Sequence, residues 1–364
     1  MVKTMTPYER ATAALANEPV DELPAYPLAC AIGRRLLPQK TTLREMSVNA
    51  KACADSFIAA ANKYKFSYTV TLIDLAVQAH DYGAEVRMDE ENTAFVTGHV
   101  VHSPEDYEKF QPLDVTKGRI AYLIEANRQI AAGLKNKAFV ACHVEGPLLA
   151  LSQSAGAERL FMDMFSDPEP VLKALTNTTE TCSRIAKEIA KTDAPALLWN
   201  FLWGNYSVLG DNEYKQFEAN DKYAYKLIKE THDLGLGFAI HNCADMPHLD
   251  TQIKQYKPDL YSLAYYPLNP SSPSATKVLD GGYADHCVIA GQIDPQLFAR
   301  GTPAKMDAAV GSLCQEVKTG LCKHNLNSKW CIASGCEVPP ELKTPMENIQ
   351  AFMDGVDNHG KMSS

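Results

Sequence analysis

His241 and Cys243 follow a short apolar run at 237–240, and Cys336 follows a second such run at 330–333. Two thiols and an imidazole are ligands that zinc binds in proteins, and three protein ligands leave one coordination position open for chemistry. Gly335 precedes Cys336, and its lack of a side chain permits a tight approach to a neighbouring loop. The pattern predicts a catalytic zinc site. A buried pair of structural thiols with a capping histidine is the alternative.

Polar residues also follow most of the other apolar runs of the chain. In chain order they are Asp74, Glu145, Asn200, Tyr265, Tyr266, Gln292 and Asp294. A water molecule or one of Glu145, Tyr265 and Glu337 would complete the zinc coordination. In the extended run before Glu145, His143 points away from Cys142, so both cannot face the same side.

Asp74 lies in the otherwise apolar segment Thr71-Leu72-Ile73-Asp74-Leu75. A buried carboxylate needs a paired cation or a role in the active site, because leaving its charge uncompensated costs several kcal/mol. We therefore expect Asp74 in the active site. The alternatives are a helix N-cap and a salt bridge with Arg34 or Arg35.

These residues need elements that bring them together. Eight short apolar runs, rich in β-branched and aromatic residues, read as strands at 25–30, 67–73, 139–144, 196–201, 237–240, 260–264, 287–290 and 330–333. Helical segments separate them near 42–64, 116–135, 157–191, 211–235, 246–256, 273–280 and 302–322. Strict alternation over eight units predicts a closed (β/α)8 barrel, whose active site lies at the carboxyl ends of its strands.

Several local signals refine this picture. Runs at 84–87 and 94–96 predict a hairpin insertion after strand two. Thr6, Ser166 and Thr344 each precede a proline and a glutamate, which predicts capped helices beginning there, the last ending near Met353. A doubly wound sheet is the alternative fold, but no glycine-rich phosphate loop follows the first strand. We expect one domain over 1–356 and a frayed tail at 357–364.

Composition narrows the function classes. The chain has 364 residues, a net charge of −9 and 46% hydrophobic residues, as expected for a globular enzyme rather than a nucleic-acid-binding protein. Ten cysteines in a chain of this size are expected to be reduced. Neither a signal peptide nor a membrane span is visible, so a cytoplasmic location is expected.

The motif around His241 and Cys243, with Cys336 in Ala333-Ser334-Gly335-Cys336-Glu337-Val338-Pro339-Pro340, resembles the methylcobalamin:coenzyme M methyltransferases of the uroporphyrinogen decarboxylase superfamily. The resemblance extends over nearly the whole chain. Ala31-Ile32-Gly33-Arg34-Arg35-Leu36-Leu37-Pro38 resembles the decarboxylases' arginine-bearing segment, and Gly291-Gln292-Ile293-Asp294-Pro295 resembles their Gly-Asn-x-Asp-Pro turn. The decarboxylases proper need no metal, so the three ligand residues favour the methyltransferase branch.

The resemblance implies a zinc ion on His241, Cys243 and Cys336 that binds an acceptor thiol as thiolate, which attacks a methyl group on the cobalt of a corrinoid. The corrinoid would arrive on a separate small protein over the barrel mouth. We expect catalytic roles for Asp74, Glu145 and Tyr265, and cofactor contacts from Arg34, Asn200, Gln292 and Asp294. Coenzyme M is one candidate acceptor. The sequence leaves the oligomeric state open, with a homodimer as one option.

Three other functions remain open on the sequence. A corrinoid-linked demethylase component, which takes methyl groups from methoxy, methylamine or methylthio compounds, would share the fold and the metal. A cofactor-free tetrapyrrole decarboxylase would use Asp74 and the arginines. A non-enzymatic scaffold for a corrinoid protein or a metal would bind its partner without turnover.

Overall fold

Eight parallel strands form a nearly closed barrel in the computed structural model, which describes residues 4–29, 31–71 and 73–362. In chain order the strands are β1 (Ala25–Tyr26), β2 (Tyr68–Val70), β3 (Glu85–Arg87), β4 (Phe95–Gly98), β5 (Phe139–Glu145), β6 (Ala196–Asn200), β7 (Gly237–Asn242), β8 (Leu260–Leu263), β9 (Val288–Ile293) and β10 (Trp330–Ser334). All but β3 and β4 belong to the barrel, in the order β1-β10-β9-β8-β7-β6-β5-β2. Where β2 meets β1, the Ser67 backbone N–H donates to the Ala25 carbonyl.

The predicted (β/α)8 barrel is confirmed, because each of the eight predicted runs overlaps a barrel strand. Cys30 and Leu72, at the ends of the first two runs, lie outside the described residues. The hairpin predicted after strand two is also confirmed, as the antiparallel pair β3 and β4. No described helix is both long enough and apolar enough to cross a membrane.

Helices cover the outside of the barrel. The α-helices are α1 (Pro7–Leu15), α2 (Leu43–Met46), α3 (Ala50–Tyr64), α4 (Val77–Asp81), α5 (Gly118–Leu134), α6 (Pro147–Ala155), α7 (Ala157–Ser166), α8 (Pro168–Ile189), α9 (Asp211–Phe217), α10 (Ala224–Asp233), α11 (Ala275–Asp280), α12 (Pro295–Arg300), α13 (Pro303–Lys323) and α14 (Met346–His359). Short 3-10 helices span Ile32–Leu36, Pro104–Lys109 and Tyr283–Asp285, and a π-helix spans Asp250–Gln255.

Three segments predicted to be helical are each divided in two, and the division within 157–191 agrees with the helix start predicted at Ser166. The first helix of the 42–64 segment ends at Met46, and Asn49 caps α3 by accepting from the Lys51 and Ala52 N–H groups. Pro168 begins α8 immediately after α7, because proline has no N–H to continue the preceding helix. The 211–235 segment is divided into α9 and α10. The π-helix replaces the α-helix predicted at 246–256.

The predicted capping box is present only at the first of the three expected positions. Thr6 and Glu9 form both of its hydrogen bonds. At α8 and α14 the N-cap residues are Asp167 and Pro345, and neither makes a side-chain cap bond. The Thr344 hydroxyl donates instead to the Pro339 carbonyl.

The chain end differs from the expectation of a frayed tail. Helix α14 continues past Met353 to His359, and Lys361 forms a β-bridge with Glu22. The Leu23 N–H donates to the Gly360 carbonyl and the Met362 N–H donates to the Asp21 carbonyl. These bonds order residues 357–362 against the N-terminal segment, and residues 363 and 364 lie outside the described part.

The strand register places polar side chains in one layer at the top of the barrel. Glu145 pairs with Asn200, Asn200 pairs with His241, and His241 pairs with Ser262 across four neighbouring strands. Paired residues of adjacent strands point to the same face of a sheet. All four side chains therefore lie side by side at the carboxyl ends of β5 to β8.

Candidate metal centre

His241, Cys243 and Cys336 lie together at the barrel mouth. One ligand atom from each, an imidazole nitrogen and two Sγ atoms, lies within 4.8 Å of the other two. Cys243 Sγ and Cys336 Sγ are 3.6 Å apart. Two thiolates at about 2.3 Å from a tetrahedral zinc would be about 3.8 Å apart. The sulfur spacing and the donor set therefore suit zinc, and this is the one such group among the described residues.

His241 is oriented by a neighbouring strand. Its Nδ1 lies 2.9 Å from the Ser262 hydroxyl, which faces it in the β7–β8 register. A metal-binding histidine commonly bonds a second group through its other ring nitrogen, which fixes the ring orientation. The Ser262 contact occupies Nδ1 and leaves Nε2 as the ring nitrogen available to a metal.

Asn242, between His241 and Cys243 in the chain, is held by a buried hydrogen-bond network. Its Nδ2 donates to Gln252 Oε1 at 2.9 Å and to the Phe201 and Gly204 carbonyls. Gln252 Nε2 donates in turn to the Tyr214 hydroxyl at 3.0 Å. Both side chains are buried and their amide groups are hydrogen-bonded, so this network fixes the position of the loop after β7.

Cys336 is placed by a close contact between two loops. A Cβ atom on Gly335 would collide with the backbone nitrogen of Tyr265, so only glycine allows the end of β10 to meet the loop after β8. The Ser334 hydroxyl donates to the Cys336 carbonyl at 2.8 Å. The hydrogen bond between the two thiols lowers the pKa of Cys336 and raises the pKa of Cys243, so the pair favours one thiolate.

A cavity of about 300 Å³ opens beside these ligands. It is lined by Asp74, Leu75, Ala76, Thr93, Ala94, Phe95, Gln153, Asn200, Leu202, His241, Cys243, Cys336 and Glu337. Thr93, Ala94 and Phe95 come from the β3–β4 hairpin region, which therefore forms one wall. The predicted convergence of Asp74, Asn200 and the three ligands at the strand ends is present.

Asp74 is buried and pairs with Arg119, not with Arg34 or Arg35. The guanidinium makes two bonds to the carboxylate, at 2.6 and 3.1 Å, and Asp74 Oδ1 also accepts from the Ala76 N–H. Arg119 itself is buried, and its Nε donates to the Ser47 carbonyl. The charge of Asp74 is thus compensated at the edge of the cavity.

Three other polar side chains near the barrel mouth have a buried oxygen without a hydrogen-bond partner. They are Glu145 Oε2, Asn200 Oδ1 and Glu337 Oε1. Burial, with a further contribution from Asp74, raises the pKa of Glu145 to about 8. Burial also raises the pKa of Glu337, and Cys336 adds to that shift. We call Asp74, Glu145, Asn200 and Glu337 together the acidic wall, and all of them except Glu145 line the cavity.

The other predicted site residues lie outside the cavity lining. Arg34 bonds Glu91 at 2.9 Å and the Thr41 and Pro340 carbonyls. Gln292 donates to the Pro273 carbonyl, and Asp294 caps α12 by accepting from the Gln296 N–H. Tyr265 contributes its backbone to the contact with Gly335.

Sequence reasoning did not single out Ser262, Gln252 or Arg119, and it assigned no role to His143. His143 lies beneath the cavity, with Nε2 3.5 Å from Asn200 Nδ2, and burial lowers its pKa to about 3. Alternation along β5 and β8 could have placed His143 and Ser262 facing inward. Nothing in the local sequence around Gln252 or Arg119 marks their partners, which lie on other elements.

Fold and site together define a (β/α)8 barrel with a thiol-imidazole centre at the carboxyl ends of its strands. The sequence model for Uroporphyrinogen decarboxylase (URO-D) matches residues 6–359, and the chain belongs to that family. Among curated relatives, methylcobamide:CoM methyltransferase MtbA of Methanosarcina mazei is 21% identical over 97% of this chain and 98% of its own. A methylated-thiol–coenzyme M methyltransferase of the same species is 24% identical over 97% of this chain and 89% of its own.

Solved structures agree on the fold. A methyltransferase from Methanosarcina mazei superposes with a TM-score of 0.76 at 19% identity, covering 97% of this chain and 99% of its own. A B12-independent methionine synthase from Shewanella sp. W3-18-1 gives 0.52 at 10% identity, covering 93% and 96%. The resemblance predicted from the motifs is thus confirmed at the level of family, with relatives named as methyltransferases.

Proposed function

We propose that this protein is a zinc-dependent methyltransferase that moves a methyl group between a protein-bound corrinoid and a small thiol acceptor. The observation that carries the proposal is the convergence of His241, Cys243 and Cys336 within 4.8 Å beside a cavity. The names of the relatives support the methyl-transfer class and a corrinoid substrate. Coenzyme M is the acceptor in those names.

The three ligand residues would hold the metal, and Ser262 and Gln252 would keep the ligands in place. Bound zinc would lower the pKa of an acceptor thiol so that its sulfur is present as thiolate at neutral pH. The thiolate sulfur would form the new bond to the methyl carbon as the cobalt–carbon bond breaks, and that electron pair would stay on cobalt. The cavity would align the acceptor sulfur for this displacement.

The remaining predicted residues enter the proposal with different roles. Asp74, paired with Arg119, and Glu145 would form part of the acidic wall, and Asn200 would contact the acceptor. Tyr265 would support Cys336 through its backbone. Arg34, Gln292 and Asp294 would hold the loops around the mouth, since their side chains bond protein groups there.

A separate small corrinoid protein would deliver the methyl group. Exposed large apolar side chains lie on segments that follow the carboxyl ends of barrel strands, namely Phe95, Tyr206, Tyr266 and Leu342. Exposed apolar side chains around the entrance of a site are typical of a protein-docking surface. They support a partner that covers the barrel mouth during transfer.

The proposal is tested by metal analysis of the purified protein together with its rate of methylcobalamin demethylation when thiols are supplied. One equivalent of zinc and thiol-dependent demethylation are expected. Zinc without turnover would contradict the thiol acceptor and favour the demethylase component or the scaffold. An active, metal-free protein that decarboxylates a tetrapyrrole would contradict the methyltransferase proposal itself.

A further inference from the structure

One wall of the cavity belongs to an element outside the barrel. Residues 85–98 form the β3–β4 hairpin, whose strands pair with each other and with no barrel strand among the described residues. Thr93, Ala94 and Phe95 of this hairpin line the cavity. The ligand side instead comes from the ends of β7 and β10, which have a parallel neighbour on each side. The hairpin can therefore move without displacing the ligand side.

Few polar contacts hold the hairpin against the rest of the described chain. All of the hydrogen bonds and ion pairs that do so reach its turn at 88–91, and all of them come from the segment 34–44. They are the Arg34–Glu91 and Lys40–Glu90 ion pairs and the bonds from the Leu43 N–H to the Glu90 carbonyl and from Arg44 Nε to the Met88 carbonyl. Loss of the contacts with this one segment would free the turn.

Arg34 makes the strongest of these contacts. Its guanidinium is buried and lies 2.9 Å from Glu91 Oε2, whereas the Lys40 and Glu90 side chains are 72% and 59% exposed and 3.5 Å apart. Exposed ion pairs contribute little to stability, and short charge-assisted hydrogen bonds to a buried group contribute more. Arg34 also donates to the Pro340 carbonyl in the loop after β10. The Arg34–Glu91 pair thus joins the hairpin turn to a loop of the ligand side.

Glycines flank the base of the hairpin. Gly83, two residues before β3, has a φ of +97°, and Gly98 is the last residue of β4. A positive φ of this size favours glycine, and small residues at the ends of elements often act as hinges. Beyond Gly98, the Val100 N–H donates to the Ser154 carbonyl of α6, which anchors the chain. The base is therefore suited to act as a hinge for a hairpin that is held at its turn.

The cavity as it stands has too little room for a corrinoid. Its volume of about 300 Å³ is at the lower limit for drug-sized ligands, and a corrinoid is larger than these. Phe95 lines the cavity and is also 45% exposed, so a partner that covers the barrel mouth would contact the hairpin directly.

We propose that the hairpin is a gate. The Arg34–Glu91 pair holds it closed over the acceptor thiol, and it swings outward when the corrinoid protein docks, which admits the methyl group to the cavity. This inference rests on the proposed corrinoid-dependent transfer and adds the element that controls access to the same site.

Labelling of a thiol on the hairpin measures its opening without turnover. Ala94 lines the cavity and is 6% exposed, so the thiol introduced by Ala94→Cys should react with iodoacetamide when the hairpin opens. If opening and closing are rapid, the labelling rate is proportional to the open population. Adding Glu91→Gln should raise this rate at least about tenfold, as expected for the loss of a charge-assisted hydrogen bond. Cys322, an exposed thiol, is the internal reference.

Glu90→Gln is the matched control. It makes the same substitution at the neighbouring residue of the turn and removes only the exposed ion pair with Lys40. Its labelling rate should equal that of the protein that carries Ala94→Cys alone.

Methyl transfer from free methylcobalamin tests whether the opening controls access. Without the labelling substitution, Glu91→Gln should raise kcat/KM for methylcobalamin by about the same factor as the labelling rate, because both depend on the open population. A merely structural role of Glu91 would leave this value unchanged or lower it.

The two measurements separate the gate from the proposed function. Equal labelling rates in Glu91→Gln and Glu90→Gln would overturn the gate. Faster labelling in Glu91→Gln with kcat/KM for methylcobalamin unchanged or lower would show that the hairpin moves without controlling access, which also overturns it. If the wild-type protein transfers no methyl group to any thiol, the proposed function fails, and faster labelling in Glu91→Gln would still support a hairpin held by Arg34.

Discussion

The two sides of the cavity differ in how completely their polar groups are bonded. On the ligand side, His241 is bonded by Ser262 and Asn242 by Gln252. On the acidic wall, Asn200 and Glu337 each keep an oxygen without a partner. A side whose groups are fixed before any ligand arrives is suited to hold a metal in a set geometry, whereas unpaired acceptors are suited to bind a substrate.

The largest expected effect comes from removing a ligand on the bonded side. In Cys336→Ser or Cys243→Ser, zinc content should fall to background and methyl transfer should decrease by more than about 100-fold, because a ligand matters more than the groups that orient it. Metal analysis and the methylcobalamin assay measure both. Cys322→Ser, at an exposed thiol, is the control and should behave as wild type. Full activity of a zinc-free ligand variant would show that the metal is not used.

The next largest effect is expected from removing the arginine partner of Asp74, the one acidic-wall carboxylate that is paired with a cation. Arg119→Met leaves the Asp74 carboxylate buried without its partner, and we expect the free energy of unfolding to fall by about 3–5 kcal/mol. Urea unfolding checks this. Arg128→Met on the same helix removes an exposed pair with Glu125 and should leave the free energy of unfolding nearly unchanged. Equal stability of the two variants would show that Asp74 is not held by Arg119.

A smaller effect is expected from loosening the ligand side without removing a ligand. Ser262→Ala removes the partner of His241 Nδ1, and zinc affinity should fall about 10- to 100-fold because the imidazole is no longer oriented. Competition with a zinc chelator measures it. Ser271→Ala, at an exposed loop position, should leave the affinity unchanged. Unchanged affinity in Ser262→Ala would mean that the ring is fixed by other contacts.

The last expected effect is a pH dependence of stability. Burial raises the pKa of Glu145 on the acidic wall, and of Glu218 outside the site, to about 8 from 4.5. The folded state therefore holds protons that the unfolded state releases, and the stabilisation, present below about pH 4.5, is lost as pH rises towards 8. Glu145→Gln and Glu218→Gln should each make the free energy of unfolding fall less steeply with pH, because the amide does not ionise.

Urea unfolding between pH 5 and 8 measures those slopes. A wild-type slope that neither variant changes would show that both carboxyls ionise normally. Since Glu218 lies outside the cavity lining, Glu218→Gln should also leave methyl transfer at the wild-type rate.

The barrel and the position of His241, Cys243 and Cys336 at its mouth could be predicted from sequence because both are local signals. Short apolar runs mark strands, and a polar residue directly after a run marks the mouth, which located Asp74, Asn200, His241 and Cys336. The partners of these residues could not be predicted in the same way. Arg119 lies on α5 and Gln252 on a π-helix, and only the folded chain shows that they meet Asp74 and Asn242.

Predictions based on position alone were less successful around the mouth. Asp294 follows β9 as expected, but its carboxylate caps α12, which is also a common role for an aspartate before a proline. The sequence around Ser166 and Thr344 matches a capping box that does not form. Ser166 is the last residue of α7, and the Thr344 hydroxyl bonds the Pro339 carbonyl instead. A strand-end position thus locates a residue without defining its partner.

X-ray absorption at the zinc edge, before and after addition of the acceptor thiol, shows whether the acceptor sulfur binds the metal. We expect two sulfur ligands and one imidazole from the protein, and a third sulfur when the thiol is added. The same spectrum with and without thiol, from a protein that still transfers methyl groups, would contradict a metal-bound thiolate as the attacking group.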